Sequence, residues 1–245
     1  MNEIDRIYKI EPLTQDFNEY MKLKSYGYQT MLTRIGEMHL NETDQGIGHV
    51  IGGHYAWVLM SMTIDVIKPI NSLDKRNGKT YYAGRKGPYY RREYIIEDDA
   101  GNSIVKASSF SILMDLNDRS IYRKRELPFS IFNAHEIHQT DANPQFRDHV
   151  TGEFITEGKV KNSHVDALGH VNNLRYHEFI YDALTPIEVK KLDHIKRIEV
   201  YYHKELMLGD TFQIYKDVKD DKIIFQIKQK EGNILSNTLV YTFRG

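Results

Sequence analysis

Residues 101–114 read GNSIVKASSFSILM, and residues 232–243 read GNILSNTLVYTF. Each stretch opens with a Gly-Asn pair, which favours a turn, and continues into a run of apolar, β-branched and small residues that favours a strand. The two stretches begin 131 residues apart (232 − 101) in a chain of 245 residues. This recurrence predicts that the two halves of the chain are copies of one structural unit.

The order of predicted elements recurs as well. The first half predicts, in chain order, a strand at 6–10, a helix over 28–42, a loop at 44–53 and strands at 57–67, 89–96 and 103–114. Residues 126–150 lack clear periodicity and predict a linker. The second half predicts a strand at 154–165, a helix over 171–184 and strands at 197–202, 212–218, 223–230 and 234–243.

One helix for several strands cannot cover both faces of a parallel sheet, so the pattern favours an α+β fold over a doubly wound α/β fold. The economical arrangement is two antiparallel sheets, each wrapped around a central helix and able to pair edge to edge. We therefore predict an N-terminal unit at 1–130, a linker at 131–150 and a C-terminal unit at 151–245.

Composition excludes several classes of protein. The net charge of −1 provides no basic field for nonspecific nucleic-acid binding. The longest uninterrupted apolar run, residues 55–60, is too short for a membrane span, and the start of the chain has no apolar signal region. We therefore expect a cytoplasmic protein. The absence of cysteine excludes disulfides, thiolate metal sites and a cysteine nucleophile.

Residues 166–173, DALGHVNN, place a carboxylate, a glycine, an imidazole and two carboxamides just before the second predicted helix. This stretch resembles the segment D-x-N-G/Q-H-V-N-N-x-x-Y of the acyl-acyl carrier protein thioesterases, and more closely that of the bacterial branch than that of the plant plastid enzymes. The matching residues are Asp166, Gly169, His170, Val171, Asn172, Asn173 and Tyr176. Further matches are Tyr202 and Glu205 in a Y-x-x-E segment, residues 110–119 (FSILMDLNDR), and Trp57.

The resemblance implies a tandem double hotdog fold and an enzyme that hydrolyses the thioester of acyl-[acyl carrier protein] to release a free fatty acid. It implies Asp166, His170 and Glu205 as catalytic residues, and Gly169, Asn172, Asn173 and Tyr176 as substrate-binding residues. The acyl carrier protein is the implied partner, no cofactor or metal is expected, and the first half would bind the acyl tail. One departure is Leu168, which stands where the family has an asparagine.

These residue types suit thioester hydrolysis. A thiol has an unperturbed pKa of about 8.5 and leaves readily, so a strong general acid is dispensable. Free N–H groups at a helix start can stabilise the developing oxyanion, and Gly169 permits the close backbone approach. Asp166 would activate water or attack the carbonyl itself; we favour water activation, with His170 and Glu205 as orienting groups.

Structural roles compete with these functional ones. Ser163-x-x-Asp166 matches a capping box, and Asn172 or Asn173 is a natural N-cap. His170 alone would be interpreted as a partly buried structural imidazole. In a regular strand, Glu205 would lie on the face opposite Tyr202 and would reach the site only if the strand ended or bulged.

Other functions remain alternatives: an acyl-CoA thioesterase, a noncatalytic acyl-binding hotdog protein, or a dehydratase or hydratase. His164, Asp166 and His170 have metal-like spacing, as do His135 and His138, but neither set forms HExxH. Residues 46–53 (GIGHVIGG) follow a helix-like segment instead of a strand, which excludes a dinucleotide loop. Met60 and Met62 suit the core or an alkyl tail. The sequence leaves open whether two chains form a homodimer.

Overall fold

The computed structural model describes residues 6–42, 46–124, 126–130 and 133–245. The first half contains β1 (Tyr8–Ile10), α1 (Ser25–Asn41), α2 (Ile47–Gly52), β2 (Tyr55–Val66), β3 (Arg76–Lys86), β4 (Tyr89–Glu97), β5 (Ser103–Asp115) and β6 (Ser120–Ile121). The second half contains β7 (Glu153–Lys159), α3 (Asn173–Asp182), α4 (Pro186–Lys191), β8 (Ile195–Tyr202), β9 (Thr211–Val218), β10 (Lys222–Gln229) and β11 (Ile234–Phe243). Many antiparallel strands and few helices confirm the predicted α+β class.

All eleven described strands belong to one antiparallel sheet, in the order β1-β3-β4-β5-β2-β8-β11-β10-β9-β7, with β6 attached to β5. The first and second halves meet where β2 pairs with β8, from Ser61 opposite Tyr201 to Asp65 opposite Arg197. The expected two sheets are therefore hydrogen-bonded into one. Within each half the order is the same, since β1-β3-β4-β5-β2 corresponds to β7-β9-β10-β11-β8, which agrees with a duplicated unit.

The main core is one continuous cluster of buried apolar side chains that includes residues of α1, α3 and strands from both halves. Helix α1 lies tightly against β3, because a Cβ added to Gly78 would come within 2.5 Å of Ile35 Cδ1. Close packing of this kind needs a residue without a side chain at the point of contact. The position of α1 thus depends on its contact with the sheet.

The structure differs from the sequence predictions in several elements, including the short strand β6. Strand β3 and helix α4 were not predicted, β7 ends at Lys159 instead of continuing to 165, and residues 47–52 form α2 where a loop was expected. Asp44 and Gln45 of that expected loop lie outside the described residues. Glycine disfavours a helix, but buried Val50 packs against Tyr90 and Leu113, and this tertiary contact stabilises α2. The chain leaves β7 because His164 Nδ1 accepts the Lys161 N–H in a tight turn.

The described residues between 126 and 150 form no helix or strand, but they are bound to the junction of the two halves. The Arg197 guanidinium donates to Asp65 at 2.9 Å and to the Thr140 hydroxyl at 3.1 Å. Ser61 donates to the carbonyl of Asn143 at 2.8 Å. This segment therefore fastens β2 to β8 from one side.

Candidate active site

A short hairpin over 165–171 positions the predicted catalytic carboxylate. Val165 and Val171 form an antiparallel bridge, and the Asp166 N–H donates to the His170 carbonyl at 3.0 Å. The chain reverses at Gly169, whose φ is +82° and whose Cβ position faces open space. A side chain there would be strained by the backbone alone, which explains the glycine.

The Asp166 carboxylate is held by two donors. Its Oδ1 accepts the Leu168 N–H at 2.9 Å, and its Oδ2 accepts the Asn172 Nδ2 at 3.2 Å. Ionised carboxylates have about four acceptor positions, so both oxygens retain capacity for a water molecule. The carboxylate is therefore oriented without being fully occupied. Leu168 contributes only its backbone, because its side chain is exposed.

Asn172 connects this carboxylate to α3. Its Oδ1 accepts the Leu174 N–H at 3.0 Å, so Asn172 is the N-cap of α3. The sequence had predicted Asn172 or Asn173 as the capping residue. The capping role considered for Asp166 is wrong for this helix. The Asn173 N–H, in the first turn, enters no hydrogen bond with the described residues. It is the type of donor that can stabilise negative charge at a helix start.

His170, within the hairpin, forms a second pair with Glu205. Strand β8 ends at Tyr202, so Glu205 lies in the loop beyond it, which is one of the conditions set for it to reach the site. The His170 Nε2 lies 3.6 Å from Glu205 Oε2, and residue 170 bridges to Met207. The Glu205 side chain is 54% exposed, so the pair is partly screened by solvent.

A cavity of about 230 Å³ opens between α1 and the first-half strands β2, β4 and β5. Its walls include Leu40, Trp57, Leu59, Met62, Tyr90 and Asn173. Asn173 is the second-half residue among the described lining residues, and it adjoins Asn172, the partner of Asp166. The start of α3 thus connects the hairpin, through Asn172, to the cavity wall at Asn173. Met62 lines this cavity, and Met60 is not among its lining residues.

Comparison with family models identifies the family of the chain. Residues 2–126 match the acyl-ACP thioesterase N-terminal domain, and residues 148–240 match the acyl-ACP thioesterase C-terminal domain. The chain belongs to the acyl-ACP thioesterase family. The family predicted from the sequence is confirmed, and with it the activity: the protein is a hydrolase of acyl-ACP thioesters in fatty acid synthesis. No match was found among curated proteins.

Solved structures of acyl-ACP thioesterases have a fold similar to that of this thioesterase. An acyl-ACP thioesterase from Bacteroides thetaiotaomicron superimposes with a TM-score of 0.87 at 22% identity, covering 98% of this chain and 97% of that chain. The 12:0-ACP thioesterase from Umbellularia californica gives 0.81 at 14% identity, covering 98% and 96%. Nearly complete coverage of both chains shows that the whole architecture is shared.

Tyr176, which the sequence analysis expected to bind substrate, is a buried residue of α3. Its side chain is only 2% exposed, and its hydroxyl accepts the Leu206 N–H at 2.8 Å. Burial raises the pKa of this phenol to about 12, so it stays protonated. Tyr176 thereby holds the loop that carries Glu205.

A buried polar network of the thioesterase was missed by the sequence analysis. His177 Nδ1 lies 3.2 Å from Gln29 Oε1, and Gln29 Nε2 donates to the Tyr202 hydroxyl at 2.6 Å. Tyr202 in turn donates to the Asn173 carbonyl at 3.2 Å. The network joins α1 of the first half to the start of α3. The available signal was Ser25 and Gln29, two polar residues one turn apart on the buried face of α1.

The His177 imidazole is fully buried, and burial lowers its pKa to about 3. Its Nε2 lies 3.1 Å from Ser25 Oγ and 3.0 Å from the Tyr241 hydroxyl. A neutral ring can donate from Nδ1 to Gln29 Oε1 and accept at Nε2 from a hydroxyl of Ser25 or Tyr241, so both ring nitrogens have a hydrogen-bond partner.

Two negative findings apply to the described part of the thioesterase. No three His, Asp or Glu side chains converge there in the arrangement of a metal site. No helix within those residues is both long and apolar enough to cross a bilayer.

Proposed function

We propose that Asp166 is the catalytic carboxylate of this acyl-ACP thioesterase and that it activates the hydrolytic water. The observation that carries the proposal is the Asp166–Asn172 hydrogen bond, which ties the carboxylate to the N-cap of α3, next to Asn173 on the cavity wall. The carboxylate retains acceptor positions for water, and the thioester carbonyl would lie at the start of α3.

The oxyanion would be stabilised by the Asn173 N–H together with the positive end of the α3 dipole. Gly169 has no side chain to obstruct this approach. Asn172 orients both the helix start and the carboxylate through its two hydrogen bonds. Because a thiol leaves with an ordinary pKa of about 8.5, water attack is the step that needs assistance.

His170 and Glu205 would orient the attacking water from the other side of the hairpin, as a pair whose facing atoms are 3.6 Å apart. Tyr176 would contribute to this by fixing the Leu206 backbone, a positioning role in place of direct substrate contact. Leu168 replaces the family asparagine with an exposed apolar side chain, so the Leu168 N–H supplies the only polar contact to Asp166 from that position.

The first-half cavity would bind the acyl tail. Its walls are largely apolar and aromatic, and it opens beside Asn173, so a chain entering it would leave its thioester near the hairpin. In this arrangement each half is a hotdog unit whose strands wrap around its own helix, with units at 1–130 and 151–245 and a linker at 131–150. The identical strand order of the two halves supports this division.

Two further expectations concern the setting of the enzyme. It would act in the cytoplasm, where fatty acid synthesis supplies acyl-ACP, and fractionation would test this. The homodimer stays a prediction, to be measured by light scattering of the purified protein.

The test of the catalytic role is Asp166→Asn. The carboxamide keeps one oxygen to accept the Leu168 N–H, so the hairpin should remain folded, while its NH2 group cannot accept from Asn172 Nδ2 and cannot activate water. We expect turnover of acyl-ACP to fall by at least about 100-fold, the contribution typical of a general base. Ser163→Ala, an exposed neighbour in the preceding turn, is the matched control.

Thiol release should be measured side by side with acyl-ACP and acyl-CoA over a series of chain lengths. Turnover of Asp166→Asn close to that of the wild type would reject the catalytic role. Release from acyl-CoA in preference to acyl-ACP would favour the alternative substrate class.

A further inference from the structure

The buried polar network that begins on α1 ends at Asn173, the residue that carries the proposed oxyanion donor. The Tyr202 hydroxyl lies 3.2 Å from the Asn173 carbonyl, which can only accept, so the single hydroxyl proton is directed to that carbonyl. The Tyr202 oxygen then accepts from Gln29, whose Nε2 lies 2.6 Å away and can only donate. The direction of both hydrogen bonds is therefore fixed, from α1 towards the start of α3.

The other end of the Gln29 amide is fixed as well. Its Oε1 lies 3.2 Å from His177 Nδ1, the nitrogen from which the neutral ring donates. Gln29 and His177 are both fully buried, so water cannot replace either partner. A fully satisfied polar network in a core is rigid, because a group that moved would lose its hydrogen bonds.

Asn173 is thereby held on both sides of its N–H. Before it, the Asn172 N–H donates to the His164 carbonyl at 2.9 Å, and the Asn172 side chain caps α3. After it, the Asn173 carbonyl accepts from Tyr202. The Asn173 N–H lies between these fixed groups and has no partner among the described residues. A donor that is held in place before the reaction stabilises a developing oxyanion without the cost of reorganisation.

We infer that Tyr202 and Gln29 are positioning residues for thioester hydrolysis, which act by holding the Asn173 N–H in place for the oxyanion. Neither side chain is among the described residues that line the first-half cavity, so their effect would pass through Asn173. This inference rests on the proposed role of the Asn173 N–H. A network that only joined α1 to α3 would affect stability and leave kcat of the folded enzyme unchanged.

The first experiment is Tyr202→Phe, which removes the hydroxyl and keeps the ring that packs against Tyr176 with centroids 6.0 Å apart. We would measure kcat and KM for acyl-ACP at a temperature where circular dichroism shows the variant to be folded. We expect kcat to fall by about 10-fold, less than the loss of about 10²–10³-fold that follows deletion of an oxyanion donor. KM should stay within about 2-fold of the wild type, because the donor acts on charge that develops only in the transition state.

Tyr28→Phe is the matched control. Tyr28 is a buried tyrosine of α1 that adjoins Gln29 in the chain, and its hydroxyl accepts the Ile70 N–H at 3.2 Å. Phenylalanine there also leaves a buried group unpaired, so it should lower Tm and leave kcat at the wild-type value. If Tyr202→Phe lowers kcat no more than Tyr28→Phe does, the network is only structural and the inference is overturned.

A second variant, Gln29→Met, tests whether Gln29 acts through Tyr202. It keeps the length of the side chain and removes the donor, so the Tyr202 hydroxyl loses its fixed direction and the polarisation that Gln29 supplies. We expect a smaller fall in kcat, of about 3-fold, and no further fall when Gln29→Met is combined with Tyr202→Phe. Fully additive falls in kcat, or an unchanged kcat for Gln29→Met, would contradict this path from α1 to Asn173.

Binding of an unreactive analogue separates positioning from substrate contact. An alkyl-ACP thioether has a methylene group in place of the carbonyl and develops no oxyanion, so its Kd should be the same for the wild type and Tyr202→Phe. A Kd raised as much as kcat is lowered would make Tyr202 a binding residue and would overturn the inference. Wild-type turnover of Asp166→Asn would reject the proposed function, whereas loss of turnover in Asp166→Asn with a wild-type kcat in Tyr202→Phe would overturn this inference alone.

Discussion

Replacing Tyr176 by phenylalanine isolates the hydrogen bond that holds the Glu205 loop. The Tyr176 hydroxyl accepts the Leu206 N–H at 2.8 Å, and Leu206 is itself fully buried. Phenylalanine keeps the ring and its packing, so the change removes one acceptor and leaves one buried N–H unsatisfied. The cost of such a group is about 1–3 kcal/mol.

This cost converts to a thermal shift. For a chain of this size, each kcal/mol lowers Tm by about 2–4 °C, so we expect Tyr176→Phe to lower Tm by about 2–12 °C. Tyr215→Phe is the matched control, because the Tyr215 hydroxyl donates to the Gln213 side chain on a partly exposed strand. That variant should lose no more than about 0.5 kcal/mol.

The activity measurement separates positioning from stability. If Tyr176 acts through the loop, Tyr176→Phe should lower kcat at temperatures where it is fully folded, and Glu205→Gln should lower it as well. The double variant should then be barely slower than Glu205→Gln alone, because residues in one chain of contacts are not additive. Equal Tm losses for Tyr176→Phe and Tyr215→Phe, or fully additive effects on kcat, would refute this reasoning.

Two further predictions concern the core. Burial lowers the pKa of His177 to about 3 from 6.5, so between these pH values the unfolded chain binds a proton that the folded chain does not. The free energy of unfolding should therefore fall as the pH falls from 6.5, by up to about 1.4 kcal/mol per pH unit from this group. When this free energy is measured by denaturant titration at several pH values, it should depend less steeply on pH in His177→Gln than in the wild type. An equal pH dependence in the two proteins would contradict the burial of a neutral ring. Gly78→Ala should destabilise the protein by about 1–3 kcal/mol, because the new Cβ meets Ile35. In the control Gly48→Ala, the new Cβ on α2 has no neighbour within 4 Å, so this change should be neutral or stabilising. Similar unfolding midpoints for the two variants would show that α1 can move away from β3.

Elements with strong local signals were predicted well from sequence. The apolar run at 234–243 coincides with β11, and the helix predicted over 171–184 contains α3. The expectation that Asn172 or Asn173 caps that helix was correct because capping is a local interaction. Helix α4 also carried local signals, Thr185 as N-cap and Glu188 three residues later, and was overlooked.

Elements whose stability comes from neighbours could not be predicted in this way. Strand β3 contains Gly78, Gly84 and several charged residues, a poor strand sequence, yet it pairs with β4 along its length and lies between β4 and β1. Pairing of this kind overrides weak local preference. The same applies to α2, where one buried valine outweighs two glycines.

By itself, the sequence determined the duplicated order of elements, the α+β class, the family and the hairpin residues from Asp166 to Asn173, since these depend on local pattern and motif. Only the tertiary structure decided that the two halves share one sheet, that the Tyr176 hydroxyl accepts the Leu206 N–H of the loop that carries Glu205, and that Gln29 and His177 join α1 to α3. The reason is physical: hydrogen-bond partners and cavity walls come from residues far apart in the chain, and packing alone brings them together.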